Sequence, residues 1–259
     1  MKLNVIDHGG EGHTLVLLHA FPLDSGMYDR LVPLLVDDAR VVTIDLPGLG
    51  GSPVPDEDPS MAAVAEGVLD AITDLGIERS IVAGTSTGGY VALEIAAAAP
   101  HRLEALVLAG TTPRRITPDV PDARRVVADE IERLHSTDPV ANSAAQGLGV
   151  TAHREQPGLV SMLRQTIAEA DPAGVTWMAR AIADRSDTTA ALAAFPGPVG
   201  LLFGAEDDAT PPSRGQEMLD LRGSAPTILE VLDRTGHLSA LESPKAVAAF
   251  VLRVLAEVG

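Results

Sequence analysis

Six short runs of apolar residues, rich in leucine and β-branched side chains, recur along the chain and are separated by longer amphipathic segments. The runs occupy positions 14–18, 41–44, 80–83, 106–109, 199–203 and 227–232. A strand that helices cover on both faces gives a continuous apolar run, whereas a half-exposed strand alternates apolar and polar residues. The pattern therefore predicts six strands of a buried, mostly parallel sheet.

The segments between these runs carry helical patterns. Apolar residues stand at helical spacing at positions 28–35, 61–75, 89–99 and 244–258. Ser60 and Ser243 occupy positions where a hydroxyl caps a helix, and Pro244 occupies a first helical position, which proline tolerates. Because strands and helices alternate through short loops, the sequence predicts a twisted α/β sheet flanked by helices.

The alternation is interrupted between residues 112 and 194, where no strand pattern occurs. This segment is charged and helical in pattern, and prolines divide it at Pro113, Pro118, Pro121, Pro139, Pro157 and Pro172. We expect a helical cap above the carboxyl edge of the sheet, where α/β proteins bind ligands. Residues 1–111 and 195–259 then form the sheet core and residues 112–194 form the cap. Ordinary packing helices are the alternative.

The overall composition disfavours some classes of binding partner and indicates the cellular compartment. The 259 residues carry a net charge of -17, which disfavours nucleic acid and anionic membrane surfaces, because both bind basic faces. Cysteine is absent, so the chain has no disulfide, thiolate metal site or cysteine nucleophile. It lacks an apolar run of the roughly 20 residues that span a bilayer, and its first residues do not resemble a secretory signal. We expect a soluble, cytoplasmic protein.

The sequence GTSTG at positions 84–88 matches the G-x-S-x-G pattern of a nucleophile elbow. It lies between the run at 80–83 and the helical pattern at 89–99, which is the strand–turn–helix setting that the elbow needs. Both glycines are required because a side chain would clash with neighbouring backbone in so tight a turn. The turn presents the Ser86 hydroxyl at the sheet edge. It also directs the amide of Thr87, at a helix N-terminus, toward developing negative charge.

A serine hydroxyl needs a base that accepts its proton. The candidates are the seven histidines His8, His13, His19, His101, His135, His153 and His237. His237 follows the run at 227–232 through a short loop and precedes the last helix, so it lies at the carboxyl end of a strand. It also stands in the chain order serine, acid, histidine that accompanies an elbow serine. We therefore predict that His237 is the base for Ser86.

The base in turn needs a buried carboxylate that fixes its tautomer and stabilises its charged form. Glu206, Asp207 and Asp208 follow the run at 199–203. We favour Asp207, because the G-x-x-D spacing puts it in the turn after the strand, and Asp208 is the alternative. The loop after the run at 106–109 offers no carboxylate.

Together these blocks resemble the α/β-hydrolase superfamily over nearly the whole chain, and small esterases, enol-lactonases and cofactor-free haloperoxidases within it. The blocks are LLHAFP at 17–22, DLPGLGGS at 45–52, GTSTGG at 84–89, LFGAED at 202–207 and TGH at 235–237. The resemblance implies an α/β-hydrolase fold with a helical cap and an oxyanion hole formed by the amides of Phe21 and Thr87. It implies structural roles for His19 and Asp45. Ala20 stands where the family usually has glycine, so the loop backbone there must suit a Cβ atom.

Ser86, Asp207 and His237 in these roles predict hydrolysis of a small-molecule carboxylic ester or lactone through an acyl-enzyme, with no metal or organic cofactor. Perhydrolase or haloperoxidase chemistry and C–C bond hydrolysis use the same triad and are alternatives. A receptor that binds a ligand without catalysis is a further, less favoured alternative. Trp177, the single tryptophan, is a candidate substrate-binding residue of the cap, and core packing is its alternative role.

Overall fold

The central feature of the computed structural model, which describes residues 1–115 and 123–258, is a seven-stranded sheet. Its strands are β1 (Val5–Asp7), β2 (Thr14–Leu18), β3 (Arg40–Ile44), β4 (Ser80–Thr85), β5 (Leu103–Ala109), β6 (Val199–Gly204) and β7 (Thr227–Leu232). Their order is β1-β3-β2-β4-β5-β6-β7, and every neighbouring pair is parallel except β1 with β3. This topology confirms the predicted α/β fold.

All six predicted strands are present, and β3, β4, β5 and β6 extend beyond their apolar runs. Strands β2 to β6 are almost wholly buried, as continuous apolar runs predict. Strand β7 lies at the edge of the sheet and is only partly buried. The sequence pattern does not predict β1, because its three partly exposed residues are too few to give a pattern.

Helices cover the sheet and fill the chain between strands. They are α1 (Met61–Asp74), α2 (Thr87–Ala98), α3 (Ala123–Leu134), α4 (Ser143–Gln146), α5 (Val150–Glu155), α6 (Pro157–Glu169), α7 (Pro172–Ala183), α8 (Thr189–Ala194), α9 (Ser213–Arg222), α10 (Ser239–Glu242) and α11 (Pro244–Leu255). Short 3₁₀ helices occur at Ser25–Tyr28, Val32–Leu34, Pro100–Arg102 and Asp138–Val140. Within the described ranges, none of the helices has the length and apolar content needed to cross a membrane.

The predicted helices at 61–75, 89–99 and 244–258 are confirmed to within a few residues. The helix predicted at 28–35 is wrong, since two 3₁₀ helices occupy this part of the chain. Pro33 explains the difference, because it lacks the N–H that an α-helix would use and its ring clashes with the preceding turn.

The predicted helix caps are confirmed only in part. The hydroxyl of Ser60 accepts a hydrogen bond from the amide of Ala63 at 3.4 Å, and α11 begins at Pro244 as predicted. The side chain of Ser243 does not cap α11. Its oxygen instead lies 2.8 Å from that of Thr235, so Ser243 connects the last helix to the loop that follows β7.

Between β5 and β6 the described residues form helices and loops without a strand, as the sequence predicts. Helix α3 packs against α7, and α4 and α5 pack against α6, whereas α8 packs against α2 and α9 beside the sheet. Two predicted breaks, Pro157 and Pro172, are the first residues of α6 and α7. The predicted breaks at Pro118 and Pro121 lie outside the described residues. The division into core and cap at residues 111 and 195 stays a prediction.

The apolar core lies on both faces of the sheet. Phe203 of β6 and Phe250 of α11 are among its largest fully buried side chains. Each such residue stabilises the fold by about 1.5–3 kcal/mol through removal of apolar surface from water. The strands are thereby fixed, and the loops at their carboxyl ends are held in place.

Candidate active site

Ser86 lies in the turn between β4 and α2, in a backbone conformation that non-glycine residues rarely adopt. Its φ is 53° and its ψ is −109°. Such a conformation costs of the order of 1–3 kcal/mol and persists only where the surroundings enforce it. The amide of Ser86 donates to the Ala109 carbonyl at 2.8 Å, and the hydroxyl of Thr111 donates to the Ser86 carbonyl at 2.8 Å. The end of β5 therefore holds the turn from both sides.

The two glycines of the elbow have the steric role that the sequence predicts. A Cβ atom at position 84 would overlap the carbonyl group of Gly88, and one at position 88 would overlap the carbonyl oxygen of Leu18. Helix α2 begins at Thr87, directly after Ser86. The elbow thus combines a strained serine with a helix N-terminus.

His237 and Asp207 are hydrogen-bonded to each other across the ends of β7 and β6. Nδ1 of His237 lies 2.8 Å from Oδ2 of Asp207, whose side chain is fully buried. The other oxygen of Asp207, Oδ1, accepts the amides of Ala209 at 2.9 Å and Thr210 at 2.8 Å. Because the carboxylate is an acceptor, Nδ1 carries the proton and Nε2 is left as the acceptor.

The two other acids of this loop do not contact His237. Asp208, the alternative acid, is exposed. Glu206 accepts hydrogen bonds from the amide and the hydroxyl of Thr151 at 2.8 and 2.7 Å. The structure therefore brings Asp207 to the imidazole, in preference to its neighbours in sequence.

Ser86 and His237 line one cavity of about 610 Å³, a size that suits a small molecule. Phe21 lies in its wall, and the guanidinium of Arg124 is 5.5 Å from the centre of the Phe21 ring. Most of the remaining wall comes from the helical segment between β5 and β6: Ala123, Val127, Pro139, Val140, Ser143, Ala144, Gln146, Gly147 and Ala179. The described lining contains no carboxylate.

The two predicted oxyanion amides belong to Phe21 and Thr87. Thr87 is the first residue of α2, and the amides of a first helical turn have no partner within the helix. Among the described residues, no hydrogen bond uses the Phe21 amide. Ala20, in place of the usual glycine, does not have a positive φ, so its Cβ atom fits the loop.

His19 is a buried histidine, and both of its ring nitrogens have backbone partners. Its Nδ1 lies 3.0 Å from the Ala20 carbonyl oxygen, and its Nε2 accepts the Leu46 amide at 2.8 Å. Burial lowers the pKa of His19, so the neutral form that fits these two partners is favoured. This arrangement supports a structural role in the loop beside the elbow.

Asp45 organises the loop that precedes α1. Burial opposes its charge, but hydrogen bonds from the Gly51 amide, the Asn4 side chain and the Ser25 amide outweigh it and lower the pKa of Asp45. These bonds are 2.7–2.8 Å long. Asp45 therefore holds three separate segments of chain together and does not contact Ser86 or His237.

Trp177 is not among the described residues that line the cavity of Ser86, and a role for it in substrate binding stays a prediction. It is buried in α7, and its Nε1 donates to the Glu57 carbonyl at 2.8 Å. It lines a separate cavity of about 430 Å³, together with Val54 and Arg180. Its helical spacing indicates burial, but spacing alone does not tell which cavity a side chain faces.

Two residues beside His237 are not singled out by the sequence patterns. Gly110 has a φ of 52°, and a Cβ atom there would lie 3.1 Å from Nδ1 of His237. Glu242, in α10, is buried and accepts amide hydrogen bonds from both sides of His237. Gly110 could have been identified from the sequence, because it is a glycine directly after a strand. Glu242 could not, because its partners are backbone groups and leave no pattern in the sequence.

Comparison with known proteins shows which family the chain belongs to. The model of the family described as "Alpha/beta hydrolase family" matches residues 15–250. Pimeloyl-[acyl-carrier protein] methyl ester esterase of Aromatoleum aromaticum is 31% identical over 248 residues, which are 92% of this chain and 96% of that protein. The 3-oxoadipate enol-lactonase 1 of Acinetobacter baylyi is 28% identical over 231 residues, 89% of this chain and 84% of that protein.

Solved structures agree with the sequence comparisons. The thermophilic esterase from Thermogutta terrifontis, solved with malate bound, superposes with a TM-score of 0.92 and 31% identity, covering 99% of this chain and 93% of that one. The chain belongs to the α/β-hydrolase family. The predicted resemblance is thereby confirmed, and the esterase and lactonase relatives support the predicted enzyme class, a carboxylic ester hydrolase.

Proposed function

We propose that the protein hydrolyses a carboxylic ester or lactone of a small molecule through an acyl-enzyme, with Ser86 as nucleophile, His237 as base and Asp207 as the orienting acid. The observation that carries this proposal is the 2.8 Å bond between Asp207 and His237, beside a cavity that His237 shares with Ser86. The names of the relatives, esterases and an enol-lactonase, support this class of substrate.

The first half of the reaction is the transfer of the acyl group to Ser86. Nε2 of His237 takes the hydroxyl proton of Ser86 while the oxygen attacks the carbonyl carbon of the ester. Asp207 keeps the proton of the imidazole on Nδ1 and stabilises the imidazolium that forms. The imidazolium then protonates the leaving alcohol oxygen, and the acyl group stays on Ser86.

The second half repeats the same proton transfers with water. His237 takes a proton from the water that attacks the acyl carbon, and returns it to Ser86 as the acid leaves. In each half the carbonyl oxygen becomes negative. The amides of Phe21 and Thr87 are proposed to stabilise it, each by about 3 kcal/mol.

The cavity wall supports the choice of a small substrate. It is mostly apolar, and the larger part of it is contributed by the segment between β5 and β6. We propose that helices α3 to α7 act as the cap, so that they select the acyl and alcohol groups while the triad supplies the chemistry. Ester and lactone substrates of different acyl lengths then differ mainly in how they fill this cavity.

The Ser86→Ala variant tests the proposal directly. Hydrolysis of p-nitrophenyl esters of graded acyl length and of small lactones is measured for both proteins, and labelling with a fluorophosphonate probe is compared. We expect activity and labelling to be lost while the thermal unfolding midpoint stays close to that of the wild type. Retained activity would exclude Ser86 as nucleophile, and an unlabelled wild-type protein would favour a receptor without catalysis.

A further inference from the structure

Glu242 is a buried acid whose carboxylate, among the described residues, accepts hydrogen bonds from backbone amides alone. It lies in α10, five residues after His237, and is 6% exposed. Its Oε2 accepts the amides of Gly236 at 2.8 Å and Gly149 at 3.0 Å, and its Oε1 accepts the amide of Leu238 at 3.1 Å. One carboxylate thus replaces water for three backbone donors, and hydrogen bonds to a charged acceptor are the stronger kind.

Two of these donors flank the proposed base. Gly236 and Leu238 are the residues before and after His237, so Glu242 holds the backbone on both sides of the imidazole. The amide of His237 itself donates to the Gly147 carbonyl at 2.7 Å. Three consecutive amides of this loop therefore have fixed acceptors.

The third donor belongs to a different part of the molecule. Gly149 lies between α4 and α5, and Gly147, two residues earlier, lines the cavity that contains Ser86. The two backbones are in close contact here, because a Cβ atom at position 236 would overlap the Gly149 amide nitrogen. Glu242 therefore joins the loop of His237 to the wall of the cavity.

We propose that Glu242 is a positioning residue, whose carboxylate fixes the imidazole of His237 and the cavity wall at 147–149 in a single arrangement. The proposal rests on the proposed function, because it concerns the base of that reaction. Glu242 does not touch the reacting atoms; it acts through the backbone of its neighbours. Catalytic geometry is sensitive to such support, because a displacement of about 1 Å can lower a rate about 100-fold.

The ionised form of Glu242 is the one that fits its partners. Oε2 already accepts two amides, so a proton on it would displace a donor, and the negative charge strengthens the hydrogen bonds from all three amides. Burial raises the pKa of Glu242, and the charge of Glu206 raises it further, while the three amides oppose this change. The other charged groups nearby are Arg154 and Arg234, which act on Glu206, and His237 itself once it is protonated.

The test compares Glu242→Gln with a matched control, Glu206→Gln. Glu206 also binds the cap segment, through the amide and hydroxyl of Thr151, but it contacts neither neighbour of His237 through its side chain. We expect Glu242→Gln to lower kcat by about 10- to 100-fold with a smaller change in KM, and Glu206→Gln to change kcat by less than about threefold. Equal effects of the two variants, or unchanged kcat in a folded Glu242→Gln variant, would overturn the proposal.

The pH dependence separates positioning by the charge from simple packing. As the pH falls through the pKa of Glu242, the wild-type carboxyl takes up a proton and comes to resemble the glutamine. The ratio of wild-type to Glu242→Gln activity should therefore be largest at neutral pH and decrease toward one in acid. A ratio that is constant with pH would indicate that the side chain only fills space, and would contradict the proposal.

Two further measurements keep the test decisive. If Glu242→Gln fails to fold, Glu242→Asp serves instead, because the shorter carboxylate keeps the charge but cannot reach all three amides; full kcat in that variant would overturn the proposal. The Ser86→Ala variant is measured in parallel. Activity that survives Ser86→Ala defeats the proposed function itself, whereas a dead Ser86→Ala with a fully active Glu242→Gln defeats only the role of Glu242.

Discussion

The substitution Asp207→Asn changes one oxygen of the carboxylate to an amino group and leaves its shape nearly unchanged. The surroundings of Asp207 decide how the new amide must lie. One side faces two backbone donors, the amides of Ala209 and Thr210, and the other faces Nδ1 of His237. An asparagine has one acceptor oxygen and one donor group, so it can satisfy only one side in the way that aspartate does.

The size of the effect follows from comparing the two orientations. With its amino group toward Ala209 and Thr210, the asparagine leaves two backbone donors unpaired, one buried and one partly buried, at about 1–3 kcal/mol each. The opposite orientation is therefore favoured by about 4 kcal/mol. It points the amino group at Nδ1 of His237, which must then accept, so that the proton moves to Nε2 and the proposed base for Ser86 is lost. A 4 kcal/mol preference is a factor of about 10³, and the lost negative charge extends the expected decrease in kcat to about 10³- to 10⁴-fold.

The assay is the steady-state hydrolysis of p-nitrophenyl acetate by Asp207→Asn, with Asp208→Asn as the matched control. Asp208 is adjacent in sequence and carries the same charge, but it is exposed and does not contact His237. We expect the control to keep wild-type kcat and both variants to remain folded by circular dichroism. The reasoning would be refuted by Asp207→Asn with more than about a tenth of wild-type kcat, or by a large loss in Asp208→Asn.

Two further predictions concern the fold around the site. Gly88→Ala places a Cβ atom on the Leu18 carbonyl oxygen and should lower the free energy of unfolding by about 3 kcal/mol. Gly158→Ala, where the added atom meets no neighbour within 4 Å, should leave the urea midpoint unchanged or slightly raised; equal midpoints for the two variants would contradict the steric argument. Because hydrogen bonds lower the pKa of Asp45, its ionised form stabilises the protein above about pH 4, and this stability is lost as the pH falls through the folded-state pKa. Asp45→Asn should therefore have a free energy of unfolding about 2 kcal/mol lower than the wild type at neutral pH. It should also lose less stability than the wild type on acidification, as measured by urea unfolding at several pH values. If the free energies of unfolding of the two proteins changed in parallel with pH, the ionised form of Asp45 would not be the source of this stability.

The sequence predicts those parts of the site that depend on local chain geometry. Ser86 can be recognised because a strand, two sterically required glycines and a helix follow one another within a few residues. The preference for Asp207 over Asp208 follows from its spacing after a strand, and the structure brings Asp207 to His237. The roles of these residues in catalysis stay predictions that the variants above test.

Contacts between distant segments could not be predicted in the same way. Glu242 binds an amide 93 positions away, and any residue other than proline offers such a donor, so no side-chain pattern marks the partner. Trp177 donates to a carbonyl 120 positions away and lines a cavity separate from that of Ser86. Strand β1 depends on pairing with β3 rather than on a pattern of its own.

The hydrogen bonds between the loop of His237 and residues 147–149 set a limit on how this enzyme can be re-engineered. Transplanting the whole helical segment from a relative, in order to alter which molecules are accepted, would also change the placement of the backbone at Gly147 and Gly149, whose carbonyl and amide hold the loop of His237. Exchange is safer in two separate pieces, one ending before Gly147 and one starting after α5. New selectivity can then be introduced without disturbing the loop of His237.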